Sequence, residues 1–132
     1  MKESEKMEED IGNFELITSE IGTTFSCYKF KFITGFRFFK VHNKYYEEVP
    51  ILEMELEYKE DKNTYIITLQ FKGVQNLHIS STADYGIQLS SFEIIDIKDD
   101  GWCDLNYKVN DYETENVTFY CNHIEVISIN KM

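Results

Sequence analysis

This chain has 132 residues, of which 42% are hydrophobic and 15% aromatic, so it can bury the core of one domain and does not fit the disordered class. Its 24 acidic and 13 basic residues give a formal net charge of −11, which repels phosphate backbones and argues against nucleic acid as a direct partner. No apolar run approaches the roughly 20 residues of a membrane-spanning helix, so we expect no membrane partner.

The cysteines and the N-terminal composition indicate the compartment. Cys27, Cys103 and Cys121 are odd in number, and no two of them have the spacing of a metal site or a redox motif. The N-terminus carries no apolar stretch of signal-peptide length. Both features are typical of the reducing cytoplasm, which is where we expect this protein.

Residues 1–12 are the first segment along the chain, and the composition of residues 1–10 predicts that those ten residues lie outside the core. From Met1 to Asp10 the sequence has five acidic residues and two lysines, which is too polar a composition to be buried. We expect a charged tail or a short helix there. Residues 13–132 contain no repeat, low-complexity block or linker, and are predicted to form a single domain.

The clearest strand pattern lies between residues 52 and 72. Apolar and polar side chains alternate on both sides of a polar turn at residues 59–63, which places one face of each strand in the core and the other in water. The pattern predicts a β-hairpin. Its inward-facing residues are Leu52, Met54, Leu56, Tyr58, Tyr65, Ile67, Leu69 and Phe71.

An earlier pair of aromatic-rich runs, at residues 25–33 and 36–41, is predicted to form two more strands. Thr34-Gly35 separates them and has the length of a hairpin connection. We therefore expect the chain to reverse at these two residues.

Two later irregularities also concern strand connections. At Ser90-Ser91 the apolar alternation slips by one position, which predicts a β-bulge. The apolar residues from 117 to 128 are predicted to form one last strand, or two strands broken at Asn122-His123.

Successive strands joined by short turns favour antiparallel pairing over parallel β-α-β units. The sequence therefore predicts a mainly β fold: a single antiparallel β domain, arranged as a meander, a sandwich or a partly open barrel. A short N-terminal helix is compatible with this pattern.

Known catalytic and metal-binding patterns are absent from the sequence. It has no Gly-rich phosphate loop, no nucleophile elbow and no His-Glu-x-x-His motif. His42, His78 and His123 lack zinc-ligand spacing, so an enzyme or a metal site would need them to converge in space with the cysteines. We predict a protein that is not an enzyme and that binds no metal or cofactor.

Acidic residues are concentrated late in the chain, in polar segments at residues 96–104 and 110–116. These loops are predicted to form one negative patch, either a solvated face or a docking surface for a basic protein, since the ligand spacing of a calcium loop is missing. Trp102 is predicted to anchor a contact, or else to cover the end of the core. The candidate partner-binding residues are Trp102, Asp99, Asp100, Asp104, Asp111, Glu113 and Glu115.

Aromatic residues are dense between Phe25 and Tyr46. Alternation cannot bury all of them, because Phe38 and Phe39 point to opposite faces of a strand. The surplus is predicted to form a second buried layer, a cavity or a partner interface. A β domain whose aromatic-lined cavity binds a small apolar ligand is therefore the alternative to a protein-binding function.

A likeness to known proteins lies in the C-terminal half of the chain. It is carried by the run from Ile67 to Val74, by Asn76-Leu77-His78-Ile79 and by the closing strand Phe119-x-Cys121-x-x-Ile124-x-Val126. In these features the chain resembles small bacterial immunity-type proteins. The resemblance implies a cytoplasmic protein that binds and neutralises a toxin domain, with no chemistry of its own. Because the matching positions are core positions, it implies a shared fold and assigns no functional residue.

Overall fold

The computed structural model describes residues 11–80, 86–100 and 105–132, with Asp100 described by its backbone only. Trp102, Cys103, Asp104 and most of the loop predicted between Ser80 and Gly86 lie outside the described residues. Within the described ranges the chain forms one α-helix, three short 3-10 turns and nine strands. The helix is α1 (Glu15–Ile21), the turns are Gly22–Thr24, Cys27–Lys29 and Lys98–Asp100, and the strands are β1 (Phe30–His42), β2 (Glu48–Glu60), β3 (Asn63–Lys72), β4 (Gln75–Ile79), β5 (Ile87–Gln88), β6 (Phe92–Asp96), β7 (Tyr107–Asp111), β8 (Val117–Cys121) and β9 (His123–Lys131).

The strands form two antiparallel sheets that face each other. The first sheet has the order β5-β1-β2-β3-β9, and the second has the order β4-β8-β7-β6. The predicted mainly β, antiparallel fold with a short N-terminal helix is confirmed, and its two sheets are open rather than closed into a barrel. In the part of the chain that the structure describes, no helix is long and apolar enough to cross a bilayer.

The inner faces of the two sheets share one apolar core. Phe71 of β3 contacts Phe119 of β8 edge-on, with ring centroids 4.9 Å apart, and Phe30 of β1 meets Phe92 of β6 at 5.4 Å. Each fully buried ring contributes roughly 1.5–3 kcal/mol by leaving water. The alternation predicted between residues 52 and 72 is confirmed, because every inward position in it is buried.

The hairpin predicted at Thr34-Gly35 is wrong, and one long strand takes its place. β1 pairs with β2 along its whole length, with a register shift between Ile33 and Gly35. Thr34 is the extra residue of a β-bulge, and its hydroxyl Oγ1 lies 3.4 Å from the carbonyl oxygen of Glu55, to which it donates. A bulge and a tight turn look alike in the local sequence, and the continuous partner strand decides between them.

The slip at Ser90-Ser91 marks a change of sheet, so the predicted β-bulge is wrong. β5 pairs with β1 in the first sheet and β6 pairs with β7 in the second, so the chain crosses between the sheets here. The buried carboxylate of Asp111 accepts the backbone N–H groups of Ser90 and Ser91, both at 2.8 Å. Two amides that belong to no strand are thereby satisfied.

The two-strand alternative predicted for the end of the chain is confirmed, and the two strands lie in different sheets. β8 lies in the second sheet and β9 in the first, and the break falls at Asn122. Beside it, Gly73 connects β3 to β4 with φ 72° and donates its N–H to the carbonyl oxygen of Pro50 at 2.9 Å. A Cβ at Gly73 would lie 2.5 Å from the side-chain nitrogen of Asn122. This position therefore requires glycine for two reasons, its φ and its close neighbour.

Gly73→Ala is expected to lower the free energy of unfolding by about 2 kcal/mol or more, because a positive φ costs about 1–3 kcal/mol and the added methyl group also meets Asn122. Urea denaturation measures the loss. In an Asn122→Ala background the steric part is removed, so the same substitution should cost less there. Equal costs in the two backgrounds would contradict the close approach.

Asp111→Ala is expected to lower the free energy of unfolding by about 2–4 kcal/mol, because two backbone amides lose the buried carboxylate that accepts their hydrogen bonds. Asp111→Asn keeps one acceptor oxygen and should cost less. Both are measured by urea denaturation against Glu115→Gln, a nearby exposed change expected to stay within about 0.5 kcal/mol. A loss for Asp111→Ala no larger than that of the control would rule out the structural role of the carboxylate.

Candidate partner-binding site

A cleft of about 540 Å³ opens at the edge of the second sheet. α1 and the turn Cys27–Lys29 form its first wall, and β6 forms the second wall. Among the described strands, β6 is the last of its sheet. The cleft therefore lies where the N-terminal segment, rather than a further strand, stands beside β6.

The floor of the cleft is aromatic and closely packed. Phe25 stacks on Tyr58 with ring centroids 5.2 Å apart, and it meets Phe14 edge-on at 5.4 Å. Phe30 and Phe92, which meet across the two sheets, also line it. All of these rings except Phe25 are buried members of the core. The floor thus presents a rigid apolar surface to whatever enters the cleft.

Carboxylates form the rim on the β6 side. Asp96 and Asp99 are exposed, Glu93 is half-buried, and all three line the cleft. The Asp96 carboxylate accepts the backbone N–H of Lys98 at 2.9 Å and lies 3.7 Å from the ammonium group of the same residue. Tyr28 lies on the opposite wall with 60% of its surface exposed. The cleft therefore combines an apolar floor, an acidic rim and an exposed aromatic ring.

The first wall is anchored to β2 by two contacts. The Lys29 ammonium lies 2.9 Å from Oε1 of Glu60 and also donates to the carbonyl oxygen of Thr24 at 3.1 Å. The backbone N–H of Ser26 donates to the hydroxyl of Tyr58 at 3.0 Å. Hydrogen bonds from Thr24 and Lys29 lower the pKa of the Glu60 carboxyl below its usual value, so both contacts favour the charged form of this group.

Cys27 brings a thiol to the first wall, and burial keeps that thiol unreactive. The residue retains some exposed surface, but burial of its thiol raises the pKa to about 12. Burial also raises the pKa of the Cys121 thiol to about 12. Both are protonated at neutral pH, whereas cysteine nucleophiles and metal ligands act as thiolates.

The second sheet separates the acidic residues that were predicted to form one patch. β6 and β7 pair antiparallel, with Asp96 near one end of the pair and Asp111 at the other. The connection that contains Asp99 leaves the first end, and the segment 111–115 leaves the second. At roughly 3.3 Å per residue, the two ends of β6 are about 13 Å apart. Among the described carboxylates, Asp96 therefore lies at the opposite end of the β6–β7 pair from Asp111.

The residues at the second end have contacts of their own. Asp111 is buried and bound to the two serine amides described above. Glu113 is exposed and accepts the hydroxyl of Ser90 at 2.7 Å. Glu115 is exposed, with φ 57°, and its N–H donates to the Asp111 carbonyl oxygen at 2.9 Å. Of these three carboxylates, Asp111 has no surface to offer a partner.

The residues predicted near the first end are only partly described. Asp99 lies on the rim of the cleft. The backbone of Asp100 ends the 3-10 turn that begins at Lys98. Trp102 and Asp104 lie outside the described residues. Asp99 is thus the one predicted contact residue whose side chain the structure places at the cleft.

Sequence patterns did not single out Glu93, Asp96 and Tyr28 as contact residues. Glu93 alternates with Phe92 and Ile94 like any outer-facing strand residue, Asp96 was only one member of the acidic segment 96–104, and Tyr28 belongs to an aromatic run in which most rings were expected in the core. They form a site because the turn Cys27–Lys29 packs beside β6, more than 60 residues later in the chain. No local signal carries that information.

The histidines lie on three separate strands. His42 ends β1, His78 lies in β4 and His123 begins β9, where its Nε2 is 3.8 Å from Oε1 of Glu125. Within residues 11–80, 86–100 and 105–132, no three His, Cys, Asp or Glu side chains are arranged to hold a metal ion. The described cysteines, Cys27 and Cys121, are both free.

Comparison with known families covers most of the chain. Residues 17–127, from within α1 to within β9, match the family Immunity protein PIM8. The resemblance to immunity-type proteins inferred from the C-terminal strands is confirmed, and the family match also covers most of the N-terminal half. The chain matches no curated protein and no solved structure at a significant level. Because the family match spans well over half of its residues, this chain belongs to the Immunity protein PIM8 family.

Proposed function

We propose that this protein binds a toxin domain and neutralises it by occupying its surface, with no chemistry of its own. Membership of an immunity protein family implies a toxin partner. The observation that carries our choice of surface is the cleft beside β6, in which an aromatic floor adjoins three carboxylates. We assign this function to the cytoplasm, where a reducing environment suits free thiols such as Cys27 and Cys121.

The cleft fits a long basic side chain of the partner. The methylene stem of a lysine or arginine packs on apolar surface, while its charged end remains beside carboxylates. Phe25 and Ile94 supply apolar lining, and Asp96 and Asp99 supply the opposite charge. Over longer distances the net charge of −11 attracts a basic protein and raises its association rate. The proposed toxin surface is therefore basic.

Tyr28 is the aromatic anchor in this proposal. Interface hot spots are enriched in tyrosine and tryptophan, and the exposed ring of Tyr28 stands beside a buried floor, so a partner can cover it without disturbing the core. Trp102, Asp100 and Asp104 remain proposed contacts, because their segment continues directly from Asp99 on the rim.

Glu113 and Glu115 define the competing surface at the other end of the second sheet. Both are exposed carboxylates, and neither lines the cleft. Asp111 is left out of either surface because its carboxylate is buried and bound to backbone amides. The two ends can therefore be compared by substitutions that change the charge equally.

A small apolar ligand is the second candidate occupant of the cleft. The volume of about 540 Å³ falls within the usual range of ligand pockets, and the floor is aromatic. The rim weighs against this candidate, because carboxylates covered by an apolar molecule lose water without gaining a cation. Native mass spectrometry separates the two: a bound apolar molecule on the purified protein favours the ligand, and a 1:1 complex with the toxin favours the immunity function.

Asp96→Asn combined with Asp99→Asn is expected to weaken toxin binding about 5- to 10-fold, mainly through slower association, and to flatten its salt dependence. The physical reason is the loss of two rim charges that attract the basic partner. Surface plasmon resonance at low and high salt measures both effects. Asn preserves the acceptor that holds the Lys98 amide, so the turn should keep its shape.

Glu113→Gln combined with Glu115→Gln is the matched control. It removes two charges from the same sheet, at the opposite end of the β6–β7 pair from Asp96, and neither residue lines the cleft. Association and salt dependence should stay close to those of the wild type. The reverse pattern, with the control pair slowing association and the rim pair leaving it unchanged, would move the contact surface to the segment 111–115 and overturn the cleft proposal.

Tyr28→Ala is expected to weaken toxin binding by about 10- to 100-fold, mainly through faster dissociation, because an anchor ring is lost from the centre of the contact. Tyr28→Phe should retain most of the affinity. Tyr112→Ala is the control, since Tyr112 is 73% exposed and lies at the other end of the sheet. Equal effects of the two alanine substitutions on the dissociation rate would count against Tyr28 as the anchor.

A further inference from the structure

Among the described strands, none covers the edge of the outer half of β1. β5 pairs with β1 only at Phe32 and Ile33, although β1 continues to His42. Within the described ranges, no strand pairs with this side of β1 beyond Ile33. An open edge of this length offers a row of backbone groups to another strand.

The backbone groups that point to the open edge follow from the turn between β1 and β2. The N–H of Asn43 donates to the carbonyl oxygen of Glu47 at 3.0 Å, so Asn43 faces β2. Backbone direction alternates along a strand, so every second residue back from His42 points the other way. The residues whose N–H and C=O groups point to the open edge are therefore His42, Lys40, Phe38 and Phe36.

Pro50 provides an independent check on this assignment. It lies opposite Lys40 in the β1–β2 register, and it has no N–H to donate. Its carbonyl oxygen accepts the N–H of Gly73 at 2.9 Å, on the side of β2 away from β1. Lys40 and Pro50 thus form a pair without mutual hydrogen bonds, as the alternation requires.

The open edge carries two half-exposed phenylalanines. Phe36 is 49% exposed and Phe38 is 47% exposed. They lie opposite Met54 and Leu52, which are fully buried, so they belong to the inner face of the first sheet. The apolar inner face continues beyond the part that the second sheet covers. Neighbouring exposed apolar side chains are a common feature of interaction surfaces.

The cations of this edge already have partners within the hairpin. Arg37 Nε lies 2.9 Å from Oε1 of Glu53, and Lys40 Nζ lies 3.4 Å from Oε2 of Glu48. The Arg37 guanidinium also lies 4.6 Å from the centroid of the Phe39 ring. An acidic partner strand would find these cations already neutralised, and the glutamates that pair with them would repel it. The edge is better suited to a strand that offers rings and paired cations.

We propose that the partner at this edge is a second copy of the chain, whose β1 pairs antiparallel with the first about a two-fold axis at Phe38. In this register Phe38 meets Phe38 of the other copy, Phe36 meets Lys40, and Arg37 meets Phe39. Each pair joins two rings, or a ring and a cation, and no like charges stand directly opposite. The contact joins the two five-stranded sheets into one continuous sheet.

Salt affects this contact and toxin binding in opposite directions. Each copy has a net charge of −11, so their approach is opposed by a repulsion that salt screens. Self-association is therefore strengthened by salt, whereas binding of a basic toxin at the acidic rim is weakened by it.

The cleft and this edge are also well separated, since Phe38 lies eight residues beyond Phe30 in β1, about 26 Å at 3.3 Å per residue.

Disulfide cross-linking tests the register. In Phe38→Cys the two new thiols face each other across the axis, with Cα atoms about 5.5 Å apart, within disulfide range. In Phe36→Cys they are about 14 Å apart, four residues along the strand and one strand spacing across, which is too far. Under mild oxidation, Phe38→Cys is expected to form covalent dimer at least tenfold faster than Phe36→Cys or the wild type, whose own cysteines give the background. Mixing Phe36→Cys with Lys40→Cys should restore cross-linking.

Sedimentation velocity tests the association itself. The wild type is expected to show a monomer–dimer equilibrium that salt strengthens and that Phe38→Lys abolishes, with an unchanged circular dichroism spectrum. Phe38→Thr is the second variant, since threonine suits an edge strand if lysine disturbs it. A wild type that stays monomeric at every concentration, with equal cross-linking of the two cysteine variants, overturns the proposal. A third outcome is a monomeric wild type whose toxin binding is weakened by Phe38→Lys. The toxin then occupies the edge. That result excludes the second copy and leaves the proposed function standing.

Discussion

Two open sheets must cover each other's apolar faces, and in this protein their strands differ in length. β1 and β2 have 13 residues each, whereas β6, β7 and β8 have five each. The shorter sheet cannot shield the longer one. At one end α1 and the turn Cys27–Lys29 cover the core and leave the cleft beside β6. At the other end the inner face is uncovered at Phe36 and Phe38. Both proposed surfaces therefore arise from one mismatch.

Alternation of side chains predicted the core but not the connections. It placed the inward residues of β2 and β3 correctly, because a strand has only two faces and water excludes one set of side chains. At Thr34 and at Ser90 the pattern slips by one residue. A bulge, a turn and a change of sheet all produce that slip, and the pairing partner, distant in sequence, decides among them. The cleft depends on such connections, so it could not be predicted.

The same limit applies to the acidic residues. Asp99 and Asp111 both lie in polar, acidic segments, and composition treats them alike. One is on the rim of the cleft, and the other is buried, where it binds the amides of Ser90 and Ser91 at the crossing between sheets. A net charge predicts that the surface is acidic. It does not predict which carboxylates the fold uses internally, since that depends on which backbone amides lack a strand partner.

Contacts outside the cleft fix both of its walls. A fixed shape matters for a protein proposed to inhibit its partner only by covering the partner's surface. The Lys29–Glu60 ion pair and the Tyr58 hydroxyl fix the first wall, and the Asp111 carboxylate fixes the start of β6 through Ser91. A partner entering the cleft does not have to order these walls, so little of the contact energy is lost to conformational entropy. In the proposed complex, charge at the rim governs association, and the packed floor governs dissociation. A rigid floor with a charged rim therefore favours fast capture and slow release, the two properties that neutralisation without chemistry requires.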